Sequence, residues 1–353
     1  MRSLDETDRH LLTAIQKEFP LDPRPYALLG RDLSISEEEA LERTNKLREK
    51  GPIRQISAIF NTRSLGYRST LAAFKIPPER LEIAADIVSA HPGVSHNYSR
   101  EHEYNLWFTI AVPPTSSLGL EKTVEIVGVE AGAVSTLLLP TVKTFKIGVT
   151  LDMTKKTEPD ATWNDDAGLL ENEDSPPPDP GDSKAAPLTP REIELVRNLQ
   201  EDIPAGMEPF GRGAATVGLT VDEYLKEAES FVETGRMRRF AAVLYHREAG
   251  FTANAMGVWA VPEEEVEATG RIMASFRDVT HCYQRPTHPG WPYNLFTMVH
   301  AEAAEECERI LDAIARATGV NDRGVLYSIR DFKKVRVKYF TPEIEEWERS
   351  RLG

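Results

Sequence analysis

The sequence is poor in the residues and spacings that most often announce chemistry. It holds two cysteines, Cys282 and Cys307, in 353 residues. Two are too few for a disulfide framework, and no C-x-x-C is formed. No H-E-x-x-H, no phosphate-binding G-x-x-x-x-G-K-[ST], no G-x-G-x-x-G and no G-x-S-x-G occurs. That removes the common patterns of zinc peptidases, nucleotide loops, dinucleotide folds and hydrolase nucleophile elbows. No apolar run reaches the roughly 18 residues of a membrane helix, and the opening MRSLDETDRH has no apolar leader region. The expectation is a cytoplasmic protein with no membrane span. Positive charge is also scarce. Lys and Arg number 42 against 56 Asp and Glu, a formal net charge of −14. A field of that sign repels nucleic-acid phosphates unless a local basic patch overrides it.

What is present is an internal duplication. Apolar residues make up 41% of the chain, enough for real cores, and the length suggests two or three domains. Residues 153–187 include EPDATWNDDAGLLENEDSPPPDPGDSKAAP. This stretch is acidic, Pro-rich and without apolar periodicity, the composition of a disordered linker. On either side the chain repeats itself. Leu4, Pro20, Gly51, Arg54, Arg63 and Gly66 match Leu188, Pro204, Gly235, Arg238, Arg247 and Gly250 at a constant offset of 184. His96-Asn97-Tyr98-Ser99-Arg100 then matches His281-Cys282-Tyr283-Gln284-Arg285, and Tyr104-Asn105-Leu106 matches Tyr293-Asn294-Leu295 with the offset widened to 189. The second half therefore carries a short insertion containing Pro286, Pro289, Gly290 and Pro292.

Within the first half the apolar period changes once. Leu11, Leu12 and Ile15 sit at helical spacing over 5–18, and Ala40, Leu41, Thr44 and Leu47 mark a second helix over 36–50 with Gly51 as its stop. Strand patterns follow at 53–60, 69–76 and 105–112, with helices near 78–90 and 118–127. Helices first and an alternating α/β segment afterwards predict an α+β fold. It is a tandem repeat of a winged helix-turn-helix and a ferredoxin-like βαββαβ domain. The boundaries are 1–52 and 53–152, the linker 153–187, then 188–236 and 237–353. The opening LDETDRHLL resembles the start of Lrp/AsnC-type transcription regulators, and the layout of each half is similar to theirs. The second helix of the first half nevertheless begins Ser36-Glu37-Glu38-Glu39 and adds Glu42, and its counterpart carries Asp222, Glu223, Glu227 and Glu229. Such helices do not present the positive face that reads DNA, so no specific DNA binding is expected.

The unusual segments are HPGVSHNYSREHEYNLWFT (91–109) and HCYQRPTHPGWPYNLFT (281–297), which gather histidine, tyrosine and arginine twice over. They resemble the two signature segments of siroheme decarboxylases, enzymes of the Lrp/AsnC-like structural group whose two related subunits usually pair. The resemblance spans nearly all of both halves, omits only the linker, and identifies the chain as both subunit types fused. It implies conversion of siroheme to 12,18-didecarboxysiroheme with loss of two carbon dioxide molecules, toward heme or heme d1. Siroheme is then the partner, with pairing of the halves within one chain, and association of two chains left open. No cofactor is implied beyond the iron tetrapyrrole substrate itself.

A flat, carboxylate-rich macrocycle needs aromatic walls and cationic clamps. Tyr98, Tyr104, Trp107, Tyr283, Trp291 and Tyr293 are the candidate walls. Arg100 and Arg285 are candidate clamps, with Lys143, Lys146, Lys333, Lys334, Arg336 and Lys338 near the ends of the halves. His96, His102 and His281 are candidates for proton donation or for axial coordination of the substrate iron. The residues leave open which does which. His102 has no clean partner, because the insertion shifts His288 out of line, so the halves are not expected to be equivalent sites. His246, opposite Thr62 and beside Arg247, is a further substrate-contact candidate. His10 and His300 read as surface or structural, and Cys282 as a buried thiol. The alternative function is a tetrapyrrole-sensing regulator.

Overall fold

The computed structural model describes residues 4–49, 51–147, 187–244, 253–301 and 303–352. The expected linker, apart from its last residue, lies outside them, as do His246, Arg247 and Gly250.

Each half begins with three helices: α1 (Glu6–Lys17), α2 (Pro25–Leu33) and α3 (Glu37–Glu49), then α6 (Pro190–Leu199), α7 (Gly211–Thr216) and α8 (Val221–Glu233). Local chemistry sets their starts. Asp5 caps α1 by accepting from the Asp8 amide at 2.7 Å. Thr189 with Glu192, and Thr220 with Glu223, form reciprocal capping boxes on α6 and α8. Their apolar faces merge into one core shared by both halves, which contains Leu11, Leu12, Ile15, Leu195, Val196 and Tyr224. Strands β1 (Ile53–Phe60) and β7 (Met237–Leu244) pair antiparallel with each other across the halves. Sequence placed them inside 53–152 and 237–353, but they form a separate two-stranded sheet and stand outside the α/β sheet. The Phe19 amide donates to the Phe240 carbonyl at 2.7 Å, so this ribbon stitches the two helical units together.

The first α/β unit runs β2 (Arg68–Lys75), α4 (Leu81–Ala90), β3 (Val94–Arg100), β4 (Leu106–Val112), α5 (Gly119–Ala131), β5 (Ser135–Leu139) and β6 (Lys143–Ile147). The second runs β8 (Ala253–Trp259), α9 (Val266–Ser275), β9 (Val279–Gln284), β10 (Leu295–Ala301), α10 (Ala304–Thr318) and β11 (Arg323–Lys334), followed by α11 (Pro342–Leu352). The strand order is β5-β2-β4-β3-β11-β8-β10-β9-β6. The first four strands have the order expected of a βαββαβ unit. The rest shows a reciprocal exchange. The start of β11 pairs with β8 of its own half and its end with β3 of the other, Ser328 opposite Arg100 and Lys334 opposite His96. In the same way β6 leaves its own half to pair with β9, Ile147 opposite His281. β5 and β6 stand at opposite ends of the order yet are joined only by Pro140 to Val142, so the sheet folds back on itself.

Helices α4 and α5 cover the outer face of one half, and α9 and α10 that of the other. The inner faces meet in a fourth core containing Ala73, Trp107, Leu137, Val258, Phe296 and Leu326. Helix α11 crosses back onto the first half. Glu348, 3% exposed, accepts from the Ser117 amide at 2.9 Å and its hydroxyl at 2.7 Å, just before α5. Trp347 packs edge-on against His91 at 4.3 Å.

His91 is fully buried, and its Nδ1 accepts from the Gly93 amide at 3.0 Å. Burial pulls its pKa down to about 3, and the charges of Lys333 and Arg351 push the same way. The unfolded chain binds this proton near the ordinary value of 6.5. Its folded pKa is the lower one, so stability is undiminished above pH 6.5 and is lost as pH falls from there toward 3. At about 1.4 kcal/mol per pH unit, His91 accounts for roughly 2 kcal/mol of lost stability between pH 7 and pH 5. Denaturant titrations of the wild type and His91→Gln at both pH values test this. The loss should be smaller by about that amount in the variant, and equal losses would contradict the assignment.

Candidate active site

The two histidine-bearing segments fold as β3 and β9, and both carry the same irregularity. Pairing slips by one residue between Val94 and His96 on β4, and again between Val279 and His281 on β10. The bulged residues are Ser95 and Thr280. A bulge re-aims the side chains that follow it. Beyond it, alternation turns Asn97 and Cys282 outward. Asn97 Nδ2 donates to the Ala85 carbonyl of α4 at 3.0 Å, and Cys282 Sγ donates to the Gly270 carbonyl of α9 at 3.7 Å. His-Tyr-Arg therefore shares the inner face in both halves.

The two triplets have matching geometry. His96 and Tyr98 rings lie 5.9 Å apart, as do His281 and Tyr283, both tilted by 34°. Arg100 sits over the Tyr98 ring at 5.7 Å and Arg285 over the Tyr283 ring at 5.1 Å. The hydroxyls of Ser95 and Thr280 each lie 2.9 Å from Nδ1 of the following histidine. Both arginines reach across the exchange. Arg100 Nη1 donates to the Leu326 carbonyl at 2.6 Å, and Arg285 Nη1 to the Leu139 carbonyl. They are 4% and 9% exposed. Their Nε atoms find no partner among the described residues, and burial pulls both guanidinium groups down to about 10. Burial also pushes the tyrosines up, Tyr283 to about 12 and Tyr98 in the same direction.

Several residues that the sequence suggested as walls or clamps have other work. Tyr104, Trp107 and Trp291 are 8%, 1% and 1% exposed. They fill the core between the two inner faces, and Tyr293 packs against it. Trp291 lies at its centre, 5.4 Å from Trp107, 6.1 Å from Tyr104 and 5.1 Å from Tyr293. The insertion delivers it through a tight turn at Pro289-Gly290, where Gly290 has φ +78° and His288 and Trp291 bond reciprocally. Asn105 clamps the Ile76 backbone and Asn294 the Val261 backbone, so the Tyr-Asn-Leu motif is structural.

Lys333 donates to the Ser89 and His91 carbonyls and Lys146 to that of Phe276, each closing the C-terminus of the other half's helix, α4 or α9. Lys143 pairs with Glu267 at 2.8 Å and Lys338 with Glu201 at 2.8 Å. Arg336 is held by Ser57 Oγ and the Ala58 carbonyl of β1. Lys334 remains exposed on β11 opposite His96. His102 stands apart from the two triplets. Its Nδ1 accepts from the Tyr104 amide at 3.0 Å, its ring meets Trp291 edge-on at 5.4 Å, and burial lowers its pKa. His288, its misaligned counterpart, bonds the Leu138 carbonyl at 2.6 Å.

The structure adds groups that the sequence did not single out as a site. Arg63 donates to the Thr141 carbonyl at 3.0 Å. Its charge and that of Arg238 reach Tyr283, where both favour the ionised phenol against the effect of burial. Their only sequence signal was their place in the repeat. Among the described residues, no group of three or more His, Cys, Asp or Glu side chains is placed to hold a metal ion.

Paired βαββαβ units that exchange strands, each behind a helix-turn-helix and each lined by a His-Tyr-Arg triplet, define a two-fold ligand-binding protein of AsnC-like build. Sequence comparison agrees: an AsnC-like ligand binding domain matches residues 64–146 and again 248–333, and the helix-turn-helix domain of siroheme decarboxylase NirDL-like proteins matches 8–54. The siroheme decarboxylase of Hydrogenobacter thermophilus is 40% identical over 340 residues, 96% of either chain. The siroheme decarboxylase beta subunit of Methanosarcina barkeri is 45% identical over 147 residues, 42% of this chain and 97% of its own. Alpha subunits of such enzymes align over a similar share. The crystal structure of siroheme decarboxylase NirDL in complex with an iron-uroporphyrin III analogue superposes with a TM-score of 0.78 at 36% identity, covering 99% of this chain and all of that one. The chain belongs to the siroheme decarboxylase family, with both subunit types fused.

The placement of Trp291 has a measurable consequence. Trp291→Ala should cost about 3–5 kcal/mol in equilibrium denaturation, the range for emptying a packed aromatic site. A loss under about 1 kcal/mol would instead put Trp291 on an open wall.

Proposed function

We propose that this chain converts siroheme to 12,18-didecarboxysiroheme, releasing two carbon dioxide molecules, with the His-Tyr-Arg faces of β3 and β9 as its substrate-binding surface. The observation that carries the reading is the repeated triplet at matching geometry, within a chain aligned end to end with siroheme decarboxylases. Loss of carbon dioxide from a ring-borne acetate leaves an electron pair on the departing methylene carbon. The conjugated iron macrocycle of the substrate takes up that density, so the reading includes no further cofactor. The protein's part is to exclude water, hold carboxylates and return a proton. Water exclusion favours the neutral product. Arg100 and Arg285 keep their charge with no carboxylate bonded to them among the described residues, and Arg63 and Arg238 add to the field near Tyr283. These are the cations that attract the substrate's carboxylates. His96 and His281 are the imidazoles on the same faces, suited to proton delivery or to iron.

The regulator reading is disfavoured by how α3 spends its cations. Arg43 is bound by Asp5, Asp8 and Glu39, Lys46 by Glu42, and Arg48 by Asp202. Groups neutralised in this way are not offered to phosphates. No described helix is long and apolar enough to cross a membrane; the reading places the enzyme in the cytoplasm, with its two halves paired within one chain. Anaerobic incubation with siroheme followed by mass spectrometry tests it. The expected product has lost two carboxyl groups. Unchanged siroheme, together with salt-sensitive binding to promoter DNA, would establish the sensor instead.

A further inference from the structure

We propose that Trp291 and α11 select the pairing of unlike halves: together they fit one first half joined to one second half, and neither like combination. Pairing is a matter of shape and charge, and stands whether or not siroheme is the substrate.

The strand exchange does not choose a partner by itself, because its contacts are duplicated. Lys333 and Lys146 each reach the carbonyl that ends the opposite helix, His91 in one half and Phe276 in the other. Arg330 pairs with Glu82 at 2.7 Å and Lys143 with Glu267 at 2.8 Å. Arg100 and Arg285 take the matched carbonyls of Leu326 and Leu139. Two copies of one half would find partners of the same kind again. Selection therefore falls to parts that the halves do not share.

Trp291 is one such part. Four of its ring neighbours form two matched pairs, Trp107 with Phe296 and Tyr104 with Tyr293. The indole lies 5.4 and 6.3 Å from the first pair, and 6.1 and 5.1 Å from the second. A ring almost equidistant from matched partners stands close to the two-fold axis that relates the halves. Two second halves would bring two indoles to that one place, which is packed so closely that Trp291 is 1% exposed. Two first halves would bring none and leave a void.

Helix α11 is the other part, and its seat is on the first half. Glu348 accepts from the Ser116 hydroxyl and from the amide and hydroxyl of Ser117. Arg351 lies over the Trp347 ring at 4.1 Å and pairs with Glu130 at 3.0 Å. The second half repeats the backbone of this seat. His91 and Phe276 end α4 and α9 in the same extended conformation, and Gly132 and Gly319 close α5 and α10 at φ +73°. The side chains are not repeated. At a constant offset of 187, Ala303, Ala304 and Ala317 stand where the first half has Ser116, Ser117 and Glu130, and α10 starts without a side-chain cap. Seated on a second half, Glu348 would lose both hydroxyls while buried, and Arg351 would lose its carboxylate. A buried charge stripped of partners is costly.

The test divides the full chain. A protease recognition sequence placed between residues 153 and 187 lets the purified protein be cut into its halves. These are unfolded together in urea, refolded and weighed by native mass spectrometry. Wild type should return unlike pairs alone, and a statistical mixture of all three pairings would overturn the proposal. Trp291→Ala combined with Trp347→Ala and Glu348→Ala should release pairs of second halves that wild type lacks. Unlike pairs alone from that variant would overturn it as well. A second variant separates lost selection from lost folding. It joins Trp291→Ala to Ala303→Ser, Ala304→Ser and Ala317→Glu, which builds the α11 seat onto the second half and leaves α11 and its own seat intact. Pairs of second halves should form here too. Their absence beside recovered unlike pairs would contradict the role given to the seat.

Discussion

The structure depends on the exchange of final strands. Each α/β unit ends on an edge strand that the other half covers: β3 is satisfied by the end of β11, and β9 by β6. An open edge inside a protein leaves a row of backbone donors and acceptors without partners, a strong penalty. The exchange removes it twice and brings in side chains that neither half has alone. Lys146 and Lys333 close the helices behind the opposite sheet, and Arg100 and Arg285 anchor to opposite carbonyls. The histidine-bearing strands are therefore positioned by the partner half as much as by their own. In M. barkeri a beta subunit matching 42% of this chain is a separate polypeptide; here covalent fusion fixes the stoichiometry of the pair.

Symmetry in the backbone coexists with asymmetry in the chemistry. The bulges, the ring geometry and the arginine contacts repeat closely. The departures cluster where they affect function. Thr109 is replaced by Met298, and the loop that holds His102 in one half holds His288 and Trp291 in the other. Trp291 packs against Tyr104 and Trp107 of the first half and Tyr293 and Phe296 of its own, so one side's insertion fills the core of both. Duplicated halves with unequal loops suit a substrate whose reacting acetates are not equivalent by position.

Much of the fold was legible in the sequence. The apolar spacing of Leu11, Leu12 and Ile15 and of Ala40, Thr44 and Leu47 marked α1 and α3, and β2 and β4 fell within a residue of their predicted spans. Helix α2 was missed because it is one short amphipathic run opening on Pro25. β6 was missed because its partner lies in the other half, and nothing local in Lys-Thr-Phe-Lys-Ile says so. The site was legible as a pair of segments but not as roles. Arg100 was legible as a candidate carboxylate clamp, but its anchor on a main-chain carbonyl 226 residues away was not. Trp107 was expected to face a cleft; it does face the inner side, but Trp291 fills that space. Lys146 and Lys333 read as a basic tail and serve as helix caps. The hydroxyls beside the histidines gave no sequence signal, since Ser95 reaches Nδ1 only because the strand bulges there.

The central claim is that the inner His-Tyr-Arg faces of β3 and β9, completed by exchanged strands, hold the tetrapyrrole. A crystal structure of the full chain with siroheme bound anaerobically tests it most directly. The account predicts the macrocycle against His96 and Tyr98 or against His281 and Tyr283, with substrate carboxylates toward the arginines. A macrocycle seated on the outer helical faces or on α3, away from both triplets, would contradict it.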